Sequence, residues 1–192
     1  NFVFEKNPHI GICVSGGPDS VALLALMNDW IKKKKGEIFV LHFNHNLRRD
    51  SINEVKFVKK ISQSFGNKCI VVNWLGSKPK TNIMNKAREE RYRRIIEICK
   101  KKKILHLMTA HHHDDRIETY QMRIARKNSS FGLLSIPTKR MHESLQIIRP
   151  LIDFKKGDLL EICRFYNLPW IQDPSNSNDL FERSRYRKIL KK

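Results

Sequence analysis

Two stretches of this sequence combine residue types that can do chemistry: Val14-Ser15-Gly16-Gly17-Pro18-Asp19-Ser20, and His111-His112-His113-Asp114-Asp115 with Glu118 just after it. In the first, Gly16 and Gly17 allow close backbone approach and positive φ. Pro18 suits the first turn of a helix, where its missing N–H is not needed. A strand that delivers the chain to a helix start in this way leaves unpaired N–H groups and a positive dipole end facing one small concavity, which suits a phosphate. The second stretch offers imidazoles and carboxylates. Consecutive histidines point in different directions, which disfavours a zinc site of fixed geometry. Its carboxylates suit magnesium or a substrate ammonium, and Asp114 or Asp115 equally suits capping of the next helix.

The elements that must position these residues follow from apolar periodicity. Ile10 to Val14, Ile38 to Phe43, Cys69 to Trp74 and Ile104 to Ala110 read as strands. Val21 to Trp30, Ser51 to Phe65 and Ile83 to Cys99 read as helices. Alternating strands and helices predict an α/β fold, a doubly wound, mainly parallel sheet with helices on both faces and right-handed crossovers. Ligands in such folds sit beyond the carboxyl ends of the strands. Ser15 to Asp19, Asn44 to Asp50, Trp74 to Asn82 and His111 to Asp115 all follow strands, and are expected to converge on one pocket. Residues 127–146 break the pattern, Ile147 to Ile152 restores it, Lys156 to Tyr166 reads as a helix, and Asp179 to Lys191 reads as a final basic helix.

The chain has 192 residues, enough for one sizeable domain, and 38 Lys and Arg against 19 Asp and Glu give a net charge of +19. That excess points to a polyanionic partner. Cys13, Cys69, Cys99 and Cys163 are widely spaced in apolar stretches, as buried thiols of a reduced compartment would be. The longest apolar run, Val21 to Met27, is too short to span a bilayer. A cytoplasmic enzyme without membrane contact is the expectation. Because Asn1 rather than Met opens the chain, residues are expected to precede it, and the end at Lys192 is read as a cut too.

The first stretch lacks the Gly-Lys-Ser/Thr of a Walker A loop and the third glycine of a Rossmann loop. It resembles the Ser-Gly-Gly-x-Asp-Ser loop of the N-type ATP pyrophosphatase superfamily, whose fold is adenine nucleotide alpha hydrolase-like and Rossmann-like. Further motifs narrow the likeness. They are His42 to Arg48 with Ser51 and Glu54; Asn82 with Arg88, Arg91 and Tyr92; Ala110 to Asp115 with Glu118 and Thr119; Gly132-Leu133; Arg149-Pro150-Leu151; and Trp170 with Asp173 to Asn176, Asp179, Phe181 and Arg183. In this order they resemble the catalytic domain of the tRNA(Ile)-lysidine synthetases.

That resemblance implies a carbon–nitrogen ligase that uses ATP and Mg2+ to adenylate the 2-oxo oxygen of the wobble cytidine in tRNA(Ile) with a CAU anticodon. Free L-lysine then displaces AMP. It implies Ser15, Gly16, Gly17, Pro18, Asp19 and Ser20 at the phosphates, Asp19 at the metal, and Asp115 and Arg91 at the substrate lysine, with His111 positioning the reacting groups. The whole of residues 1–192 would be one catalytic domain whose part from 147 onward is a helical tRNA-contacting portion, with Arg183, Arg185, Arg187 and Lys188 on RNA phosphates. Two departures stand out: Arg126 to Ser130 lacks two glycines common in the family, and Met84 replaces a common acidic residue. The rival readings are a tRNA thiolase of the same superfamily, which normally needs a reactive or cluster-binding cysteine, and a non-catalytic tRNA-binding domain.

Overall fold

The computed structural model describes residues 2–46, 51–74, 83–125 and 136–172. It contains β1 (His9–Cys13), α1 (Pro18–Lys34), β2 (Glu37–Asn44), α2 (Ser51–Ser64), β3 (Lys68–Asn73), α3 (Ile83–Lys101), β4 (His106–Met108), α4 (His113–Ala125), β5 (Lys139–His142), β6 (Leu145–Ile148) and α5 (Lys156–Phe165). The strands form one sheet in the order β3-β2-β1-β4-β6-β5. All neighbours are parallel except the β5/β6 pair. The doubly wound reading therefore holds.

Both faces of this sheet are covered, which explains why β2 is buried without interruption from Ile38 to Phe43. Its side chains alternate between two cores. Ile38 and Val40 join Val21, Leu24, Val58 and Leu159 on the face covered by α1, α2 and α5. Phe39, Leu41 and Phe43 join Ile95, Ile96 and Cys99 of α3 on the other face. Helix α1 begins with Pro18 and Asp19 and ends with Lys32, Lys33 and Lys34, so its charges complement the helix dipole at both ends. No helix among the described residues is long and apolar enough to cross a membrane.

Two parts of the chain differ from the sequence expectation. Strand β4 is shorter than the run Ile104 to Ala110, because only His106 to Met108 has neighbours on both sides. The segment 127–146 contains strand β5 and the start of β6 where an irregular stretch was expected. β5 is an edge strand with Lys139, Arg140 and Met141 exposed, and charge without apolar alternation is how edge strands resist pairing with other chains. The segment from 147 onward starts inside β6, and its helix α5 packs on α1. Arg48, Asp50, Asn82, residues 126–133, the 173–176 loop and the final helix with Arg183, Arg185, Arg187 and Lys188 lie outside the described residues.

Candidate active site

The strand order reverses direction between β1 and β4, so the crevice at their carboxyl ends is the topological switch point where ligands of open α/β sheets bind. The two chemical stretches are the segments that leave these two strands. Gly16 takes φ +96°, and a side chain there would also press on Ile171 at 3.1 Å, so glycine is required twice over. Around it the loop is self-braced. Ser20 Oγ donates to the Gly17 carbonyl at 2.9 Å and lies 3.2 Å from the Ser15 N–H that donates to it. The first helical bond runs from Val21 N–H to Gly17 C=O, leaving the amides of Asp19 and Ser20 ahead of it at the dipole's positive end.

Three helix starts meet at Asp19. Lys156, the first residue of α5, places Nζ 2.5 Å from Asp19 Oδ1. His112, the residue before α4, places Nε2 3.8 Å from Asp19 Oδ2 and 3.6 Å from Asp115 Oδ2. Asp115 also accepts the His112 backbone N–H at 3.1 Å, which makes it the cap of α4. The start of α4 is tied to the turn before α5 by His113 N–H donating to Phe154 C=O at 2.9 Å, and by Arg116 on Asp153 at 3.0 Å. Helix α5 is seated from below by Leu159 and Cys163, both fully buried, with Cys163 Sγ donating to the Pro18 carbonyl at 3.3 Å. The result is one carboxylate inside a ring of cationic or N–H-bearing groups.

The expected site residues divide accordingly. Asp19 and Asp115 come together through His112, which is buried, whereas half-buried His111 turns to Thr109 with Nδ1 2.9 Å from Oγ1. Arg91 lies on α3, on the opposite face of the same edge, with its guanidinium 5.6 Å from the centre of the Tyr92 ring. Asn44 is engaged within its own turn. Its side chain accepts the Asn46 N–H at 2.9 Å and donates to Asn73 at 3.0 Å, which holds a tight turn. Behind that turn, His42 donates Nδ1–H to the Val14 carbonyl at 2.8 Å, since a carbonyl can only accept. Burial holds its pKa below the ordinary histidine value, and the hydrogen bond opposes this.

Lys156 and His112 are the residues that sequence reasoning missed. His112 was one of three equivalent histidines, and Lys156 one of 38 basic residues, 137 positions from its partner. The donor set suits a magnesium–phosphate ligand. Magnesium is usually held by one or two carboxylates plus substrate phosphates and water, which Asp19 beside three helix starts can provide. No group of three His, Cys, Asp or Glu among the described residues is arranged to hold a metal by itself. Cys13, at the end of β1, has its thiol pushed up to about 11 by burial despite the nearby Arg91.

Fold and site together define an α/β domain with an oxyanion-accepting glycine loop at the switch point of its sheet. Residues 2–192 match the PP-loop domain family, and the chain belongs to it. It is 38% identical over 188 residues to the tRNA(Ile)-lysidine synthase of Orientia tsutsugamushi, covering 98% of this chain and 42% of that protein. To that of Rickettsia africae it is 39% identical over 192 residues, covering 100% and 39%. The chain thus spans about two-fifths of the length of these curated relatives. Among solved structures, the U34-tRNA thiolase of Methanococcus maripaludis, with its [4Fe-4S] cluster, superposes with a TM-score of 0.83 at 18% identity, covering 97% of this chain and 66% of that one. At that identity the likeness concerns the fold.

Proposed function

We propose that this chain is the catalytic domain of a tRNA(Ile)-lysidine synthase, acting on the wobble cytidine of an isoleucine tRNA with a CAU anticodon. The observation that carries this reading is the meeting of the α1, α4 and α5 starts around Asp19, in a chain whose relatives bear that name. In this reading ATP with magnesium supplies the adenylyl group, and the chain's own residues bind and orient. Ser15, Gly16, Gly17 and Ser20 cradle the phosphates through backbone N–H groups and hydroxyls, and Pro18, which has no N–H to offer, shapes the turn that presents them. Asp19 holds the metal, and Lys156, released from Asp19, takes up charge on the departing pyrophosphate.

Cytidine's 2-oxo oxygen bonds to the α-phosphorus as the bond to pyrophosphate breaks. The lysine ε-nitrogen then bonds to C2, loses a proton, and the C–O bond to AMP breaks. Asp115, held in place by the His112 N–H, takes the α-ammonium of lysine, Arg91 its carboxylate, and His111 positions the reacting groups. Arg183, Arg185, Arg187 and Lys188 lie on RNA phosphates, and the setting is the cytoplasm, where these substrates are. A tRNA thiolase is less well supported, because Cys13 at the end of β1 and Cys163 beside Pro18 both have thiols that burial pushes up, which makes them poor nucleophiles at neutral pH.

Pyrophosphate release from ATP, followed with and without tRNA and lysine, tests the proposal. Release should require the tRNA and proceed without lysine. Release that ignores tRNA would overturn it.

A further inference from the structure

On the α3 side of the carboxyl edge, four arginines stand together with no acid paired to them among the described residues. Arg149 directly follows β6 and is only 6% exposed. Its Nη1 donates to the Pro137 carbonyl at 2.6 Å, whereas its Nε–H is buried with no partner among the described residues. The Tyr92 hydroxyl lies against this guanidinium and favours its charge, but burial and the like charges of Arg88 and Arg140 work the other way and prevail. Arg88 and Arg91 both stand over the ring of that same Tyr92, at 5.3 and 5.6 Å from its centre.

Elsewhere on α3 the arginines are neutralised. Arg93 and Arg94 each pair with Glu90, at 2.7 and 2.9 Å. By contrast, Arg88, Arg91, Arg140 and Arg149 have no carboxylate within ion-pair distance among the described residues. A guanidinium that is buried, under-bonded and crowded by its own sign is costly unless an anion completes it.

The position ties this group to the site. Thr109 N–H donates to Ile148 C=O at 3.0 Å, which sets Arg149 beside the segment that leads to His111. From buried Arg149 the positive charge runs outward to exposed Arg88, Arg140 and Lys139. One carboxylate would satisfy only the inner end of such a track, whereas a strand with a phosphate at each nucleotide can follow it. The planar fork of arginine also matches a phosphate bidentately.

We infer that Arg149, Arg88 and Arg140, braced by Tyr92, form a binding site for a backbone phosphodiester of the RNA strand, separate from the phosphate loop and across the sheet edge from it. The inference rests on the RNA substrate of the proposed function. In the natural chain, an Arg88→Ala/Arg140→Ala variant and an Arg149→Lys variant are compared with the parent for binding of a CAU-anticodon isoleucine tRNA transcript over a potassium chloride series. The slope of log affinity against log salt should fall by roughly 0.7 to 0.9 for each phosphate no longer neutralised. Affinity at fixed salt should fall roughly ten- to two-hundredfold, with the KM for lysine unchanged. A parental slope with a raised lysine KM would make the cluster a carboxylate site, and a parental slope with only a lowered Tm would make Arg149 a structural brace. Either result overturns the inference. Because Arg88 and Arg140 are exposed, their variant stays folded even where the Arg149 variant does not. If the parent releases no pyrophosphate with this tRNA, the ligase reading fails by itself, and the salt slope still decides the phosphate site.

Discussion

Replacing Lys156 with methionine separates holding the fold from handling phosphate. Its ammonium lies 2.5 Å from Asp19, yet the two side chains keep 37% and 27% of their surface exposed, so the pair contributes only ~0.2–1 kcal/mol. Against this, a lysine at a helix start opposes the dipole, and removing it returns ~0.3–1 kcal/mol. Helix α5 keeps its seat because Leu159 and Cys163 are fully buried on α1. The net stability change should therefore be close to zero, and the Tm close to the parental value. Loss of a preorganised cation at the leaving pyrophosphate costs about 2.7–4 kcal/mol, which is a roughly hundred- to thousandfold slower release. Thermal unfolding and single-turnover pyrophosphate release, run on the same preparation, read both quantities. Parental release rates would refute the role of Lys156, and so would a Tm drop as large as that of a core truncation, since α5 would then depend on the ion pair.

Asp19→Ala should abolish AMP formation while tRNA binding stays near parental, and normal AMP yield at saturating magnesium would remove Asp19 from the mechanism. Asp115→Asn keeps an oxygen for the His112 N–H and so keeps the cap of α4. It should weaken lysine use by roughly ten- to two-hundredfold and spare pyrophosphate release; collapse of the release step at every lysine concentration would assign Asp115 to the metal instead. For His42, whose pKa burial holds below the ordinary 6.5, the unfolded chain takes up the proton first as pH falls. Stability should be flat above about pH 6.5 and decline below it until the folded-state pKa is passed, a decline that His42→Gln removes. Denaturant midpoints between about pH 7.5 and 5.5 check this, and identical pH dependence in parent and variant would count against it.

The parallel sheet was legible because β1, β2 and β3 are short apolar runs, each followed by a turn and an amphipathic helix. β5 was not, because Lys139 and Arg140 carry no alternation and an edge strand needs none. The glycine loop could be read locally, since Gly16, Gly17, Pro18 and Asp19 do their work within one turn of chain. Which residues surround it could not. Lys156 reaches Asp19 only because α5 packs on α1, a tertiary fact with no spacing rule behind it. Likewise His112 rather than His111 turns to the carboxylates, since the backbone direction after β4 decides among three adjacent imidazoles. The isolation of Arg149 from every acid among the described residues was equally hidden, because a count of charges says nothing about which of them meet.

The raised pKa of Cys13, a half-buried thiol, has a practical side. With its thiol pushed up to about 11, only about one molecule in ten thousand carries the reactive thiolate at pH 7. Cys99, its neighbour in the same core, is pushed up to about 12 by burial, and burial raises Cys69 and Cys163 as well. Alkylating reagents at neutral pH should therefore leave all four native sulfurs nearly untouched. A single new cysteine at an exposed position such as Lys139 would then take a spectroscopic label or a cross-linker selectively, with no need to strip the native thiols first.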